Sequence, residues 1–163
     1  MSPKYQNNVL PELSVETPFR RTHKKLDTRF LKIWFAECPV MTSLGILGKK
    51  WAFPILRDIA VYKVERFNQF LSSLPGITPK VLATRLRELE RDGFIKKTVI
   101  KNNPPRIVQW SLTEKGIDTV PIGMMLAGFG AKWRADIVFS DKKPRMMNEI
   151  FTQEGMDFLK KYL

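Results

Sequence analysis

Lys80, Thr84, Arg87 and Arg91 recur at intervals of four, three and four residues, which places three cations and a hydroxyl on one helical face. Arg85 lies on the flank of that face. Guanidinium and ammonium groups donate hydrogen bonds to phosphate oxygens and to the acceptor edge of guanine, and a threonine hydroxyl serves base edges or backbone alike. A few residues on, Lys96, Lys97, Lys101 and Arg106 surround the run Asn102-Asn103-Pro104-Pro105. This is chemistry for holding a polyanion. The chain has one histidine, His23, and one cysteine, Cys38, so neither a metal-ligand cluster nor a Cys/His catalytic pair can be assembled. Paired carboxylates, a nucleophile with its base and a phosphate-cradling glycine loop are also missing, so no enzymatic activity, cofactor or metal is expected. Taken alone, the helix could equally be an ordinary solvated face, since Glu88 and Glu90 lie nearby. The basic hairpin that follows favours binding.

Two short helices and a hairpin must position these groups. Phe67, Phe70, Leu71 and Leu74 fall on one apolar stripe of 3.6-residue period. Pro75-Gly76 ends that helix, and Thr78-Pro79 starts the next: threonine caps free N–H groups and proline suits the first helical position. Leu82, Leu86 and Leu89 give the second helix a buried stripe opposite its cations. Gly93, after Asp92, stops it. Phe94 to Lys101 and Ile107 to Leu112 are β-branched and aromatic runs around a proline-stiffened tip, which predicts a strand-turn-strand. The pattern from Arg66 to Trp110 is a helix-turn-helix with a wing.

The charge is distributed to match. Net charge is +12 and the isoelectric point about 10.0, a balance that suits nucleic acid or an anionic surface. Residues 1–48 carry a net +3, residues 49–106 a net +8 and residues 107–163 a net +1. The excess thus concentrates in the presumed binding unit, as counterion release requires. A hydrophobic fraction of 44% over 163 residues is enough for a globular core. The single cysteine fits a reducing compartment. No signal-peptide core opens the chain, and its longest uncharged apolar stretch, Val120 to Ala131, is shorter than the roughly 20 residues that span a bilayer. A cytoplasmic protein without membrane partners is expected.

Before the helix pair, residues 1–28 read as a flexible arm, in which Arg20, Arg21, Lys24 and Lys25 could touch DNA or a neighbouring subunit. Phe30 to Ala36 is apolar and helical in character, Met41 to Leu47 gives one or two turns broken by Gly45 and Gly48, and Trp51 to Ala60 turns Trp51, Ile55, Leu56 and Ile59 inward. Pro54 is tolerable there if the helix begins near Lys50. Beyond the hairpin, Thr113 caps a helix beginning Glu114-Lys115-Gly116, whose broad apolar surface (Ile117, Val120, Met124, Met125, Leu126, Phe129, Trp133) exceeds what one small wing covers and suggests a subunit interface. Asp136 to Arg145 is a polar linker, and Met146 to Leu163 reads as one amphipathic helix.

The chain resembles the HxlR-type winged-helix transcription regulators, a family related in fold to the MarR group. The matching residues are Cys38-Pro39-Val40, Leu47-Gly48-Lys49-Lys50-Trp51 with Ile55-Leu56, Arg66-Phe67-Asn68, and Leu74-Pro75-Gly76-Ile77-Thr78. Leu82, Arg85-Leu86-Arg87-Glu88-Leu89-Glu90, Asp92-Gly93-Phe94-Ile95, Pro104-Pro105-Arg106 and Ser111-Leu112-Thr113-Glu114-Lys115-Gly116 complete the set. Lys49 stands where the family usually has a second glycine, Met41 where it often has an acid, and Pro54 interrupts its early helix. The resemblance implies a mainly α fold with a small β-hairpin, a winged helix-turn-helix whose N- and C-terminal helical extensions form a dimer interface. The expected division is an arm (1–28), a DNA-binding and dimerisation domain (29–134), and a linker with a C-terminal helix (135–163). The implied function is transcription regulation by a homodimer that binds a pseudo-palindromic double-stranded operator sequence-specifically. The alternative is a winged-helix protein-interaction or architectural module. Candidate DNA contacts are Thr78, Lys80, Val81, Thr84, Arg85 and Arg87 on the helix, Lys101, Asn103 and Arg106 on the wing, and Lys49 and Lys50 ahead of it. Lys80, Thr84 and Arg85 are expected nearest the bases. Cys38 matches a position that senses redox state or electrophiles in some relatives; the other reading is a small buried hydrophobe. A small-molecule or redox effector is left open.

Overall fold

The computed structural model describes residues 37–163 apart from Asn103 and Pro105. The expected arm (1–28), the apolar segment Phe30 to Ala36 and His23 lie outside the described residues. From Pro39 the chain forms α1 (Pro39–Leu47), α2 (Ala52–Tyr62), α3 (Phe67–Ser73) and α4 (Pro79–Arg91), then β1 (Ile95–Lys101) and β2 (Ile107–Leu112). The helices α5 (Glu114–Ile117), α6 (Thr119–Trp133), α7 (Ala135–Val138), α8 (Met147–Ile150) and α9 (Gln153–Lys160) follow. The expected fold class, mainly helical with a small hairpin, is what the structure shows.

The core gathers the inward stripes of the helix-turn-helix and its neighbours. Ile55 and Leu56 of α2, Phe70 of α3, Leu74, Leu82, Leu86 and Leu89 of α4, and Ile95 of β1 are all at most 2% exposed. Each such aliphatic or aromatic side chain contributes about 1.5–3 kcal/mol when fully buried. The periodicities at Phe67–Leu74 and Leu82–Leu89 therefore point where their spacing says. Trp51 borders this core and takes a left-handed conformation, φ 78°, immediately before α2. Asp58 is buried among apolar neighbours and is satisfied twice: Ser73 Oγ donates to it at 2.6 Å, tying α2 to α3, and Arg57 pairs with it at 2.6 Å. A buried carboxylate left without such partners would be strongly destabilising.

The hairpin pairs β1 and β2 antiparallel, from Ile95 opposite Leu112 to Lys101 opposite Ile107, with an irregularity between Val99 and Lys101. Ile100 is the unpaired extra residue, so the ribbon bends just before its tip. Trp110 anchors the base of the wing to α3, its ring 6.5 Å from that of Phe67 and 6.4 Å from that of Phe70. Its backbone N–H also donates to Glu65 O at 2.9 Å.

Four expectations for the chain outside the wing need correction. The apolar run after Thr113 is two helices, not one, divided at Asp118. Pro121 is the reason: it has no N–H to give the Ile117 carbonyl, and its ring opposes a continuous helix through that turn. The polar linker contains the turn α7. The C-terminal segment is α8 and α9, because Thr152 is extended and its hydroxyl accepts from Gly155 N–H at 3.2 Å, capping a new helix. Both pack on α6 of the same chain. Leu159 is buried at 3% exposure, and Tyr162 Oη donates to Asp118 at 3.3 Å. Finally, α1 runs through Gly45 without a break.

Candidate nucleic-acid interface

The surface is built from the start of α4 outward. Thr78 is extended, and its Oγ1 accepts from Val81 N–H at 3.3 Å, with Pro79 in the first turn. Threonine and proline thus fix where the helix begins, and the three buried leucines fix which side faces out. That side carries Lys80, Val81 and Arg87, all exposed, and Thr84, half-exposed. Thr84 Oγ1 donates to Lys80 O at 2.9 Å, which steers its oxygen lone pairs outward. Arg87 Nε donates to Ala83 O at 3.3 Å and leaves its terminal nitrogens free of any partner among the described residues. Arg91 is ion-paired with Asp92 at 3.0 Å.

Arg85 is placed differently from expectation. Its side chain is only 14% exposed, its Nε donates to the Lys50 carbonyl at 3.0 Å, and its Nη1 pairs with Glu88. The guanidinium fork therefore points into the fold instead of outward with Thr84. Lys49 is drawn to the same carboxylate, Nζ to Glu88 Oε1 at 2.9 Å. The hydrogen bond from Lys49, reinforced by the charges of Arg85 and Lys49, holds the Glu88 carboxyl below the usual glutamate range despite some desolvation. By sequence alone Glu88 is an ordinary surface charge. Its i,i+3 spacing from Arg85 was visible, but Lys49 is 39 residues away. Lys50 remains exposed, its ammonium 5.2 Å above the Trp51 ring.

The wing leaves α4 through Gly93, whose φ of 75° is one that side-chain-bearing residues rarely adopt. Lys96, Lys97, Lys101 and Arg106 are all exposed along it and at its tip. Asn103 lies outside the described residues. The root of the wing is latched to α5: Thr113 Oγ1 donates to Gly93 O at 2.6 Å, Lys115 Nζ donates to Asp92 O at 2.8 Å, and Lys115 stands 4.3 Å over the Phe94 ring. Gly116 faces the Phe94 carbonyl so closely that any Cβ would overlap it. The two cationic elements are thus joined end to end and held from behind.

The profile described as HxlR-like helix-turn-helix matches residues 46–137, spanning α2 to α7. The chain belongs to this family. Among HxlR-like relatives, the Bacillus subtilis (strain 168) protein named "Uncharacterized HTH-type transcriptional regulator YdeP" is 39% identical over 112 residues, 69% of this chain and 86% of that one. The solved structure of the redox regulator HypR in its reduced form matches with a TM-score of 0.52 at 32% identity, covering 64% of this chain and 99% of that chain. The reduced form of the transcriptional regulator YodB from B. subtilis matches at 0.50 and 28% identity, covering 60% and 94%. The HxlR-like chain is accordingly a winged-helix, DNA-binding transcription regulator rather than an enzyme. Among the described residues no helix is long and apolar enough to cross a membrane. Cys38 is half-buried just ahead of α1, where its carbonyl accepts from Thr42 N–H at 3.0 Å and Thr42 Oγ1 at 3.1 Å.

Proposed function

We propose that this HxlR-like chain regulates transcription as a homodimer that recognises a pseudo-palindromic operator sequence-specifically. In this reading the outward face of α4 enters the major groove. Lys80, Val81 and Thr84 lie nearest the bases, because the N-terminal turns of a recognition helix reach deepest. Lys80 offers donors to guanine acceptors, Thr84 a hydroxyl to either partner, and Val81 a methyl surface for thymine. Thr78, Arg87, Lys50 and the wing residues Lys101, Asn103 and Arg106 hold phosphates. Lys49 contributes positive field beside them. The observation that carries the reading is the exposed cationic face of α4, continued through Gly93 into an exposed cationic wing.

Dimerisation is supported by α6. Met125, Leu126, Phe129 and Trp133 are 48–63% exposed on it, an apolar expanse of the kind that marks association. For a dimer to enter successive major grooves, its two copies of α4 must lie about 34 Å apart, one turn of duplex DNA. In vitro selection of bound duplex from a random pool tests the proposal. It should return an imperfect palindrome, bound at fixed salt at least about a thousandfold more tightly than random duplex. A ratio near one would leave an architectural or protein-interaction module.

A further inference from the structure

We infer that Arg85, Glu88 and Lys49 form a positioning clasp that sets how α4 is presented to DNA, and that Arg85 reads no base. The inference rests on α4 being the element that enters the duplex. The buried leucines fix which side of α4 faces out, and the clasp adds polar contacts off that stripe that tie the helix to a neighbouring segment. Glu88 accepts from Lys49 Nζ at 2.9 Å, and Arg85 Nε donates to Lys50 O at 3.0 Å. Both lines run to the same short segment, Lys49 to Trp51, that turns into α2.

The Lys50 carbonyl is available for a definite reason. In a regular helix it would accept from the N–H four residues on, and that residue is Pro54, which has none. The α2 ladder begins one step later, with Ile55 N–H donating to Trp51 O at 3.0 Å. Arg85 supplies the missing donor. With Nε committed to Lys50 and Nη1 to Glu88, the fork needed for bidentate contact with guanine is directed inward. The side chains of Arg85 and Glu88, 14% and 21% exposed, are enclosed to match. The clasp thus fixes the separation between the Lys50 backbone, which carries an exposed ammonium, and the base-facing edge of α4.

The variant Glu88→Gln separates this account from plain electrostatics by sign. Removing the carboxylate makes the protein more positive and frees two cations, which without a clasp should tighten binding to any duplex and steepen its salt dependence. With a clasp, affinity for the duplex selected by wild-type protein falls about tenfold, the size of a coupling near 1.4 kcal/mol. Arg85→Ala should fall similarly, the double variant Arg85→Ala/Glu88→Gln no further than either single change, and selection with Arg85→Ala should return the wild-type consensus. Arg85→Gln replaces Arg85→Ala if melting shows that the alanine variant does not fold. Tighter binding by Glu88→Gln, additive losses, or a consensus relaxed at one base position would overturn the clasp while leaving the operator reading intact. Failure of wild-type protein to enrich any sequence would overturn both.

Discussion

At the scale of single residues, the same side-chain type does two different jobs on α4. Lys80 and Arg87 extend into solvent, whereas Arg85 is folded inward on Glu88 and the Lys50 carbonyl. Lys80→Ala or Thr84→Ala should relax preference at individual base positions by about 1–3 kcal/mol, read by competition among single-base variants of a selected duplex. Arg106→Ala should weaken all sequences alike and shallow the salt slope by about one unit; altered sequence preference would contradict its assignment to phosphate. Residue types and helical phase were legible in the sequence, so the outward set was found. The inward set was not, because its partners are brought up by tertiary folding: Lys49 lies 39 residues from Glu88, and the Lys50 carbonyl 35 residues from Arg85. Glu88 also makes stability depend on pH. Its carboxyl is held low in the folded protein by Lys49 and Arg85, so its contribution is present above the unfolded value of about 4.3 and is lost as pH falls through the folded one. The difference in unfolding free energy between wild type and Glu88→Gln should be full near neutral pH and shrink on acidification through that window. A difference that grows on acidification would show that the carboxyl is not held low.

At the scale of elements, what is encoded locally was readable. Thr78-Pro79 starts α4, Gly93 ends it, and β1 and β2 follow β-branched and aromatic runs, all within a few residues of the signals that set them. Thr78→Ala should cost about 1 kcal/mol in chemical denaturation through loss of the cap. Gly116→Ala should cost about 1–3 kcal/mol, because the added methyl meets the Phe94 carbonyl, a backbone atom that moves only with the root of the wing. Equal stability of either variant and wild type would contradict these roles. The split of α5 from α6 and of α8 from α9 is not legible in the sequence. Apolar spacing continues across both breaks, and the groups that mark them, the Pro121 nitrogen and the Thr152 hydroxyl that caps α9, are individually small signals within long patterns.

At the scale of the whole molecule, two exposed surfaces carry the proposed function: the basic one of α4 and the wing, and the apolar one of α6. Charge distribution along the chain foretold the first, since residues 49–106 hold a net +8 of the total +12. The second was legible as an excess of apolar residues, though not the packing of α8 and α9 against another part of the same helix. Phe129→Glu, placing a charge on a side chain 63% exposed in that surface, should shift sedimentation from dimer to monomer and lower operator affinity with it; a persistent dimer would move the interface elsewhere. The claim that α4 and its wing act together on duplex DNA is tested most directly by hydroxyl-radical footprinting on a selected duplex. Two protected patches centred about 10 base pairs apart are expected, each with flanking protection that Arg106→Ala weakens. A single protected patch, or flanks indifferent to Arg106, would contradict it.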